Sequence, residues 1–204
     1  MNEKIAITAD NFTAVNSQMD VITLQNTPVL RVVKDSKITL DDEPTFAKLN
    51  NFDFHNGTIS AKVMSRLLPN APDHARGFIG ICFRITPQND KFEGLYIRPT
   101  NARAEDQLRR NRSTQYFSYP NYKWDTLRNN FTAKYESYVD LELDTWIDFA
   151  IKIQDEQAKL YINSQPQPVL IVNDLKHGVS LNGSISLWVD IGTEGFFKDL
   201  EITK

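Results

Sequence analysis

GFIGICFRI, residues 77–85, and FEGLYIR, residues 92–98, are two alternating stretches separated by a short turn. Successive strand side chains point to opposite faces, so Ile79, Ile81, Phe83 and Ile85 share one side of the first stretch. That side is the predicted core. The other side carries Phe78, Gly80, Cys82 and Arg84, and the side of Phe92, Gly94, Tyr96 and Arg98 in the second stretch has the same character. Glycine inside a strand marks a place where a ligand or another backbone comes close. This face is therefore expected to form a groove, with Arg84 and Arg98 projecting beside Tyr96 from a hairpin.

The same period of two recurs further along. In Trp146–Ile153, Ile147, Phe149, Ile151 and Ile153 alternate with Asp148, Ala150 and Lys152; in Ser184–Ile191, Ile185, Leu187, Val189 and Ile191 alternate with Ser186, Trp188 and Asp190. About a dozen such runs are separated by turn formers such as Asn56-Gly57, Asn89-Asp90, Asp155-Glu156 and Asn182-Gly183. Many short strands with regular turns predict an all-β, two-sheet antiparallel β-sandwich of jelly-roll type. With 204 residues, 41% of them hydrophobic, the chain can bury a substantial core and is expected to form one domain over residues 1–204.

A net charge of −3 argues against a general nucleic-acid binder, which needs a broad basic face. The opening MNEKIAITADNF lacks the apolar region of a signal peptide, and no segment approaches the roughly 18 apolar residues of a membrane span. The expectation is a cytoplasmic chain by default, with no membrane or nucleic-acid partner. The single cysteine, Cys82, excludes an intramolecular disulfide. Oligomeric state is not readable from these features.

Residues 99–144 are too long and too rich in arginine and aromatic residues for a simple connector, and long loops in compact domains are usually functional or disordered. A short helix is expected over Ala102–Arg110. Flat aromatic rings for stacking and planar polar groups for hydroxyls are the parts of a sugar site, and arginine also takes carboxylates in a bidentate way. The candidate ligand-binding set is Arg84, Tyr96, Arg98, Asn101, Arg109, Tyr116, Tyr122, Trp124 and Asp190. A carbohydrate or sugar acid is the expected partner. The three histidines lack metal-ligand spacing, and no cofactor is expected, although Asp41, Asp42, Glu43 and Asp190 offer oxygens for a structural calcium.

The C-terminal third contains DTWIDFAIKI (144–153), AKLYIN (158–163), PVLIVNDL (168–175), GSISLWVD (183–190) and GFFKDLEI (195–202). In that order it resembles the concanavalin A-like lectin/glucanase superfamily, including its laminin-G-like and 3-keto-disaccharide-hydrolase-like branches. The resemblance covers residues 57–204 and implies a jelly roll that elsewhere hosts lectins, hydrolases and adhesion modules. Asp140, Glu142 and Asp144 are predicted on one strand face and are similar to the carboxylate pattern of laminarinase-like hydrolases, but with Asp at the first position and no final Glu.

Three functional readings follow. The first is a carbohydrate-binding, lectin-like domain using the outer sheet face and the loop over residues 99–124. The second is a glycoside hydrolase or related sugar-processing enzyme, with Glu93, Glu136, Asp148 and Asp190 the eligible acids and no catalytic residue assigned. The third is a laminin-G-like protein-interaction module. The lack of a complete catalytic motif favours the first over the second.

Overall fold

The computed structural model describes residues 2–204 and contains two antiparallel sheets packed face to face, the architecture expected from the alternation. The first sheet runs Leu170–Val172, Gln157–Ile162, Ile147–Gln154, Gly57–Leu67, Thr193–Thr203, Thr27–Lys34 and Ser17–Leu24, with Asn2–Ile5 also paired to Thr193–Thr203. The second runs Glu136–Ser137, Thr114–Tyr119, Phe92–Ile97, Ile79–Ile85, Ser184–Val189, Phe46–Leu49 and Phe12–Val15. No helix among the described residues is long and apolar enough to cross a membrane.

The shared core lies between the sheets. Ile79, Ile81, Phe83, Ile147, Phe149, Ile151, Ile185, Leu187 and Val189 all belong to it, as their period of two predicts. In the first sheet, Ile147–Gln154 keeps the simple pattern, with alternate residues buried and the others partly or wholly exposed. The second sheet behaves differently. Every residue of Ile79–Ile85, Phe92–Ile97 and Ser184–Val189 is buried. Its outer face carries a separate apolar cluster of Phe46, Cys82, Ile85, Phe92, Tyr96, Phe117 and Trp188. Tyr96 meets Trp188 at 4.8 Å and Phe117 at 5.6 Å between ring centroids.

This cluster corrects the open-groove expectation. A side-chain carbon added at Gly94 would lie 2.3 Å from the Phe117 ring, and one added at Gly80 would lie 2.6 Å from Tyr96. The space at Gly94 is filled by the Phe117 ring and that at Gly80 by the backbone of the neighbouring strand, with the Leu95 carbonyl oxygen at 2.2 Å.

Arg84 departs from its expected face for a local reason. Two residues, Phe83 and Arg84, stand opposite the single Ile185 between the Ile85–Ser184 and Cys82–Ser186 pairs, and Arg84 takes φ 54°. Such a β-bulge breaks the alternation. Ile85 consequently joins the outer cluster, and Arg84 donates to the carbonyls of His55 (3.0 Å), Gly178 (2.9 Å) and Asp155 (2.8 Å) and to Asn56 Oδ1 (3.1 Å). Fully buried, it ties loops together and does not share a face with Arg98.

Replacing Gly94 with Ala tests the packing of the outer face. Overpacking of this kind costs about 1–3 kcal/mol, so the urea midpoint should fall with the m-value unchanged; an unaltered midpoint would show that Phe117 can yield.

Candidate functional site

One end of the outer face remains open. Four segments surround it: the loop after Thr27–Lys34, the connection before Ile79–Ile85, the turn after Ser184–Val189, and the long excursion after Phe92–Ile97. Together they enclose a cavity of about 240 Å³ lined by residues that include Asp41, Asp42, Arg76, Tyr96, Arg98, Asn101, Arg109, Trp124 and Asp190. His74, Phe78, Arg112 and Arg128 complete the wall.

The excursion is ordered by local chemistry. In place of the single helix expected over Ala102–Arg110 there are two separate turns, Pro99–Ala102 and Gln107–Arg110. Proline suits the first helical position because it has no N–H to leave unpaired. Asp106 starts the second turn by accepting from the Arg109 backbone N–H at 3.1 Å. A third helix, Trp124–Asn130, lies where no helix was expected. Asp140, Glu142 and Asp144 occupy irregular, exposed backbone in place of the predicted strand, with Asp140 and Glu142 paired to Arg103 and Asp144 to Arg66. They do not form a carboxylate row facing the cavity.

Arg98 is the central cation. It donates to Glu136 Oε1 (3.1 Å), Gln115 Oε1 (3.0 Å), the Tyr96 hydroxyl (2.9 Å) and the Arg112 carbonyl (3.3 Å), and its guanidinium lies 5.0 Å from the Tyr96 ring centroid. Glu136 also binds Arg128 and has Arg112 at 3.7 Å. Burial alone would raise the Glu136 carboxyl, but Arg128 and Arg98 hold it below the ordinary carboxylate range.

Trp124 is half-buried and held at several points. Its backbone N–H donates to Asp42 Oδ2 at 2.7 Å, its indole N–H to Asp41 Oδ2 at 3.1 Å, and Arg128 stacks 4.5 Å from the ring centroid. Lys123 pairs with Glu43 beside it. The Asp41–Glu43 loop and the Trp124 helix thus close over the sheet from opposite sides.

The acids have unequal surroundings. Asp190 Oδ1 pairs with the buried Lys34 and accepts from the Ile191 N–H at 2.7 Å, while Oδ2 accepts from the Asp42 N–H at 2.9 Å. Asp42 is fully buried, and its Oδ1 has no hydrogen-bond partner. Desolvation, reinforced by the charge of Asp190, raises its carboxyl to about 7, against the Trp124 N–H and Arg98. A buried polar atom without a partner is unusual and asks for one, whether water, ion or ligand.

Of the residues expected at the site, Tyr96, Arg98, Asn101, Arg109, Trp124 and Asp190 line this cavity. Three others do not. Arg84 is withdrawn by its bulge. Tyr116 points into the inter-sheet core, where its hydroxyl donates to Glu93 Oε2 at 2.7 Å, because it alternates with the outward Phe117. Tyr122 packs against the same core with Lys176 5.5 Å from its ring centroid.

The eligible acids are also dispersed. Glu93 serves Tyr116 and the His177 N–H inside the sandwich, Asp148 pairs with Lys62 on the first sheet, and Glu136 is enclosed by arginines. Sequence reading missed Arg76, Arg128 and His74 as cavity residues, and considered Asp41 and Asp42 only as calcium ligands. Among the described residues no grouping of three or more His, Cys, Asp or Glu side chains is disposed to hold a metal ion.

No protein-family model matches the sequence, and no curated protein matches it. Solved structures do share the fold. The carbohydrate-binding module CBM66 from Bacillus subtilis superposes with a TM-score of 0.63 at 12% identity, covering 95% of this chain and 96% of the module. A protein of unknown function with a galectin-like fold, also from Bacillus subtilis, gives 0.58 at 12% identity over 99% and 97% of the two chains. A candidate glycosyl hydrolase from Parabacteroides distasonis gives 0.55 at 12% identity over 95% and 88%. The fold class is therefore the jelly-roll β-sandwich that these structures share, and at these identities the likeness is one of fold.

Asp42 provides a pH test. Its unfolded-state carboxyl deprotonates near 3.8, its folded one at about 7, so between those values the folded chain binds more protons and loses stability as pH rises. The full gap corresponds to about 4 kcal/mol. Asn tolerates the positive φ of 53° at this position. Asp42→Asn should be more stable than the parent at pH 8 and show a flatter rise on acidification to pH 5, read as urea midpoints at both values. Equal pH dependence in the two proteins would refute a perturbed Asp42.

Proposed function

We propose that this chain binds carbohydrate in the cavity between Trp124, Arg98 and Asp42. The observation that carries the reading is a cavity whose wall combines the half-buried Trp124 indole, the half-buried carboxylate of Asp41 and several planar donors. A sugar hydroxyl would donate to Asp41. The face of the sugar ring would pack on Trp124, and Asn101 and the arginines would bond the remaining hydroxyls. The cavity is smaller than the roughly 300–1,000 Å³ of sites for drug-sized ligands, which suits the end of a saccharide better than the middle of a long chain. The carbohydrate-binding module from Bacillus subtilis offers a precedent for such binding on this fold.

A glycoside-processing enzyme is the second reading, favoured by one feature. A carboxyl titrating at about 7 has the protonation state a general acid needs near neutral pH. Release of reducing sugar by the parent chain, abolished in Asp42→Asn, would establish it.

Binding is tested with Trp124→Ala and Trp124→Phe against a saccharide array followed by titration calorimetry. Loss of the half-buried ring should weaken the ligand about tenfold, ~1.4 kcal/mol, and phenylalanine should recover part of the loss. Unchanged affinity in the alanine variant, with a large fall in melting temperature, would make Trp124 a structural residue and remove this site assignment.

A further inference from the structure

We infer that the saccharide taken by this cavity carries a carboxylate, as a uronic acid or other sugar acid does, and that Arg76 and Arg109 recognise it. The inference rests on the carbohydrate-binding reading and specifies its ligand class. Five arginines line the cavity of a chain whose overall charge is −3. They fall into two groups.

Arg98, Arg112 and Arg128 converge on Glu136, so their charge is partly answered within the protein. Among the described residues, Arg76 and Arg109 have no carboxylate within ion-pair distance. Arg76 donates to the carbonyls of Asp73 (2.6 Å) and Ala75 (2.8 Å). Arg109 donates to Asn101 Oδ1 (2.9 Å) and to the carbonyl and hydroxyl of Thr100 (both 3.2 Å). Neutral acceptors fix both side chains in place without cancelling their charge.

The two are also neighbours. The Thr100 N–H donates to the Arg76 carbonyl at 3.3 Å, while the same residue's carbonyl and hydroxyl receive Arg109. Like charges held together at a partly desolvated wall lower each other's affinity for a proton. Burial, then Arg109 and Arg98, depress the Arg76 guanidinium, with Asp73 opposing only in part. An anion placed between them would relieve this repulsion and gain planar, bidentate hydrogen bonds. Gly77, at φ 71°, sets the chain direction after Arg76, and a side chain there would meet Leu143 at 2.6 Å.

The other wall limits the anion's charge. Asp41 and Asp42 line the same cavity, so a phosphate monoester, at about −1.5 to −2, meets roughly twice the repulsion of a carboxylate. Asp41, half-buried in that wall, then accepts from a hydroxyl of the same sugar. A singly charged, polyhydroxylated ligand fits both walls.

The test titrates the full chain with matched pairs in gluco, galacto and manno series, each as neutral methyl glycoside, methyl uronate and 6-phosphate. A uronate should bind at least tenfold tighter than its neutral parent. That advantage should shrink between 0.05 and 0.5 M salt as the charges are screened. Arg76→Gln and Arg109→Gln should each reduce the uronate-to-neutral ratio towards one, and Arg109→Lys should keep part of it; melting curves confirm folding, and a variant that fails to fold is replaced by its Lys counterpart. Equal or tighter binding of neutral sugars overturns the carboxylate inference while leaving carbohydrate binding intact. Preference for the phosphate series overturns it in favour of sugar phosphates. Failure of every member, neutral and acidic, overturns carbohydrate binding itself.

Discussion

The cavity depends on the buried pair between Arg98 and Glu136. Arg98 leaves the end of Phe92–Ile97, Glu136 belongs to the edge strand Glu136–Ser137, and Arg128 arrives from the helix over the sheet. One carboxylate therefore anchors a central strand, an edge strand and a covering helix. Both partners are about 5% exposed at the side chain, where leaving a charge unpaired typically costs 3–5 kcal/mol. Such a pair contributes little net stability compared with a well-packed apolar substitute. What it does here is fix geometry: Arg98 spends four donors on protein acceptors and lies over Tyr96, so the floor of the cavity is rigid before any ligand arrives.

The second constraint is that the central strands of the sheet carrying the site are buried on both faces. Inner residues pack against the first sheet, while the outer aromatic cluster needs its own cover. That cover comes from the Asp41–Glu43 loop, with the Glu43 carbonyl accepting from the Trp188 indole at 2.8 Å, and from the segment around Lys123 and Trp124. The loop that bonds Trp188 is the same loop that places Asp42 at the cavity and holds Trp124. Burial of the sheet and construction of the site use the same loop in this region.

Strand alternation made the fold legible, because a period of two is a direct consequence of backbone geometry and survives as burial in Ile147–Gln154 and, in Ser184–Val189, as the division between inner Ile185, Leu187 and Val189 and outer Trp188. The site was less legible. GFIGICFRI is nearly continuous in apolar residues, which is the mark of a strand buried on both faces, and this outweighed the suggestion of a groove from its glycines. The bulge at Arg84 has no local sequence signal, since neither glycine nor asparagine occupies the left-handed position. Arg98, Asn101, Arg109 and Trp124 could be gathered because they are close in sequence. Arg76 and Asp42 could not, because the topology alone brings residues from three other connections to the same end of the sheet.

Asp42 shows why the site and the stability of the fold pull in different directions. Its carboxylate is buried beside Asp190, which has already taken Lys34, and one of its own oxygens is left without a donor. Folding must desolvate that group, whereas an asparagine in the same left-handed conformation would avoid the charge. Oδ2 does hold structure by accepting from the Trp124 N–H, a bond that an asparagine oxygen could also make. A carboxyl held dry with one oxygen unpartnered is preorganised, since a donor that reached it would meet no competing water and the cost of ordering the side chain has already been met in folding. Preorganisation of this kind concentrates binding energy in few contacts, which is what a cavity of this size requires to hold a small polar ligand against bulk water.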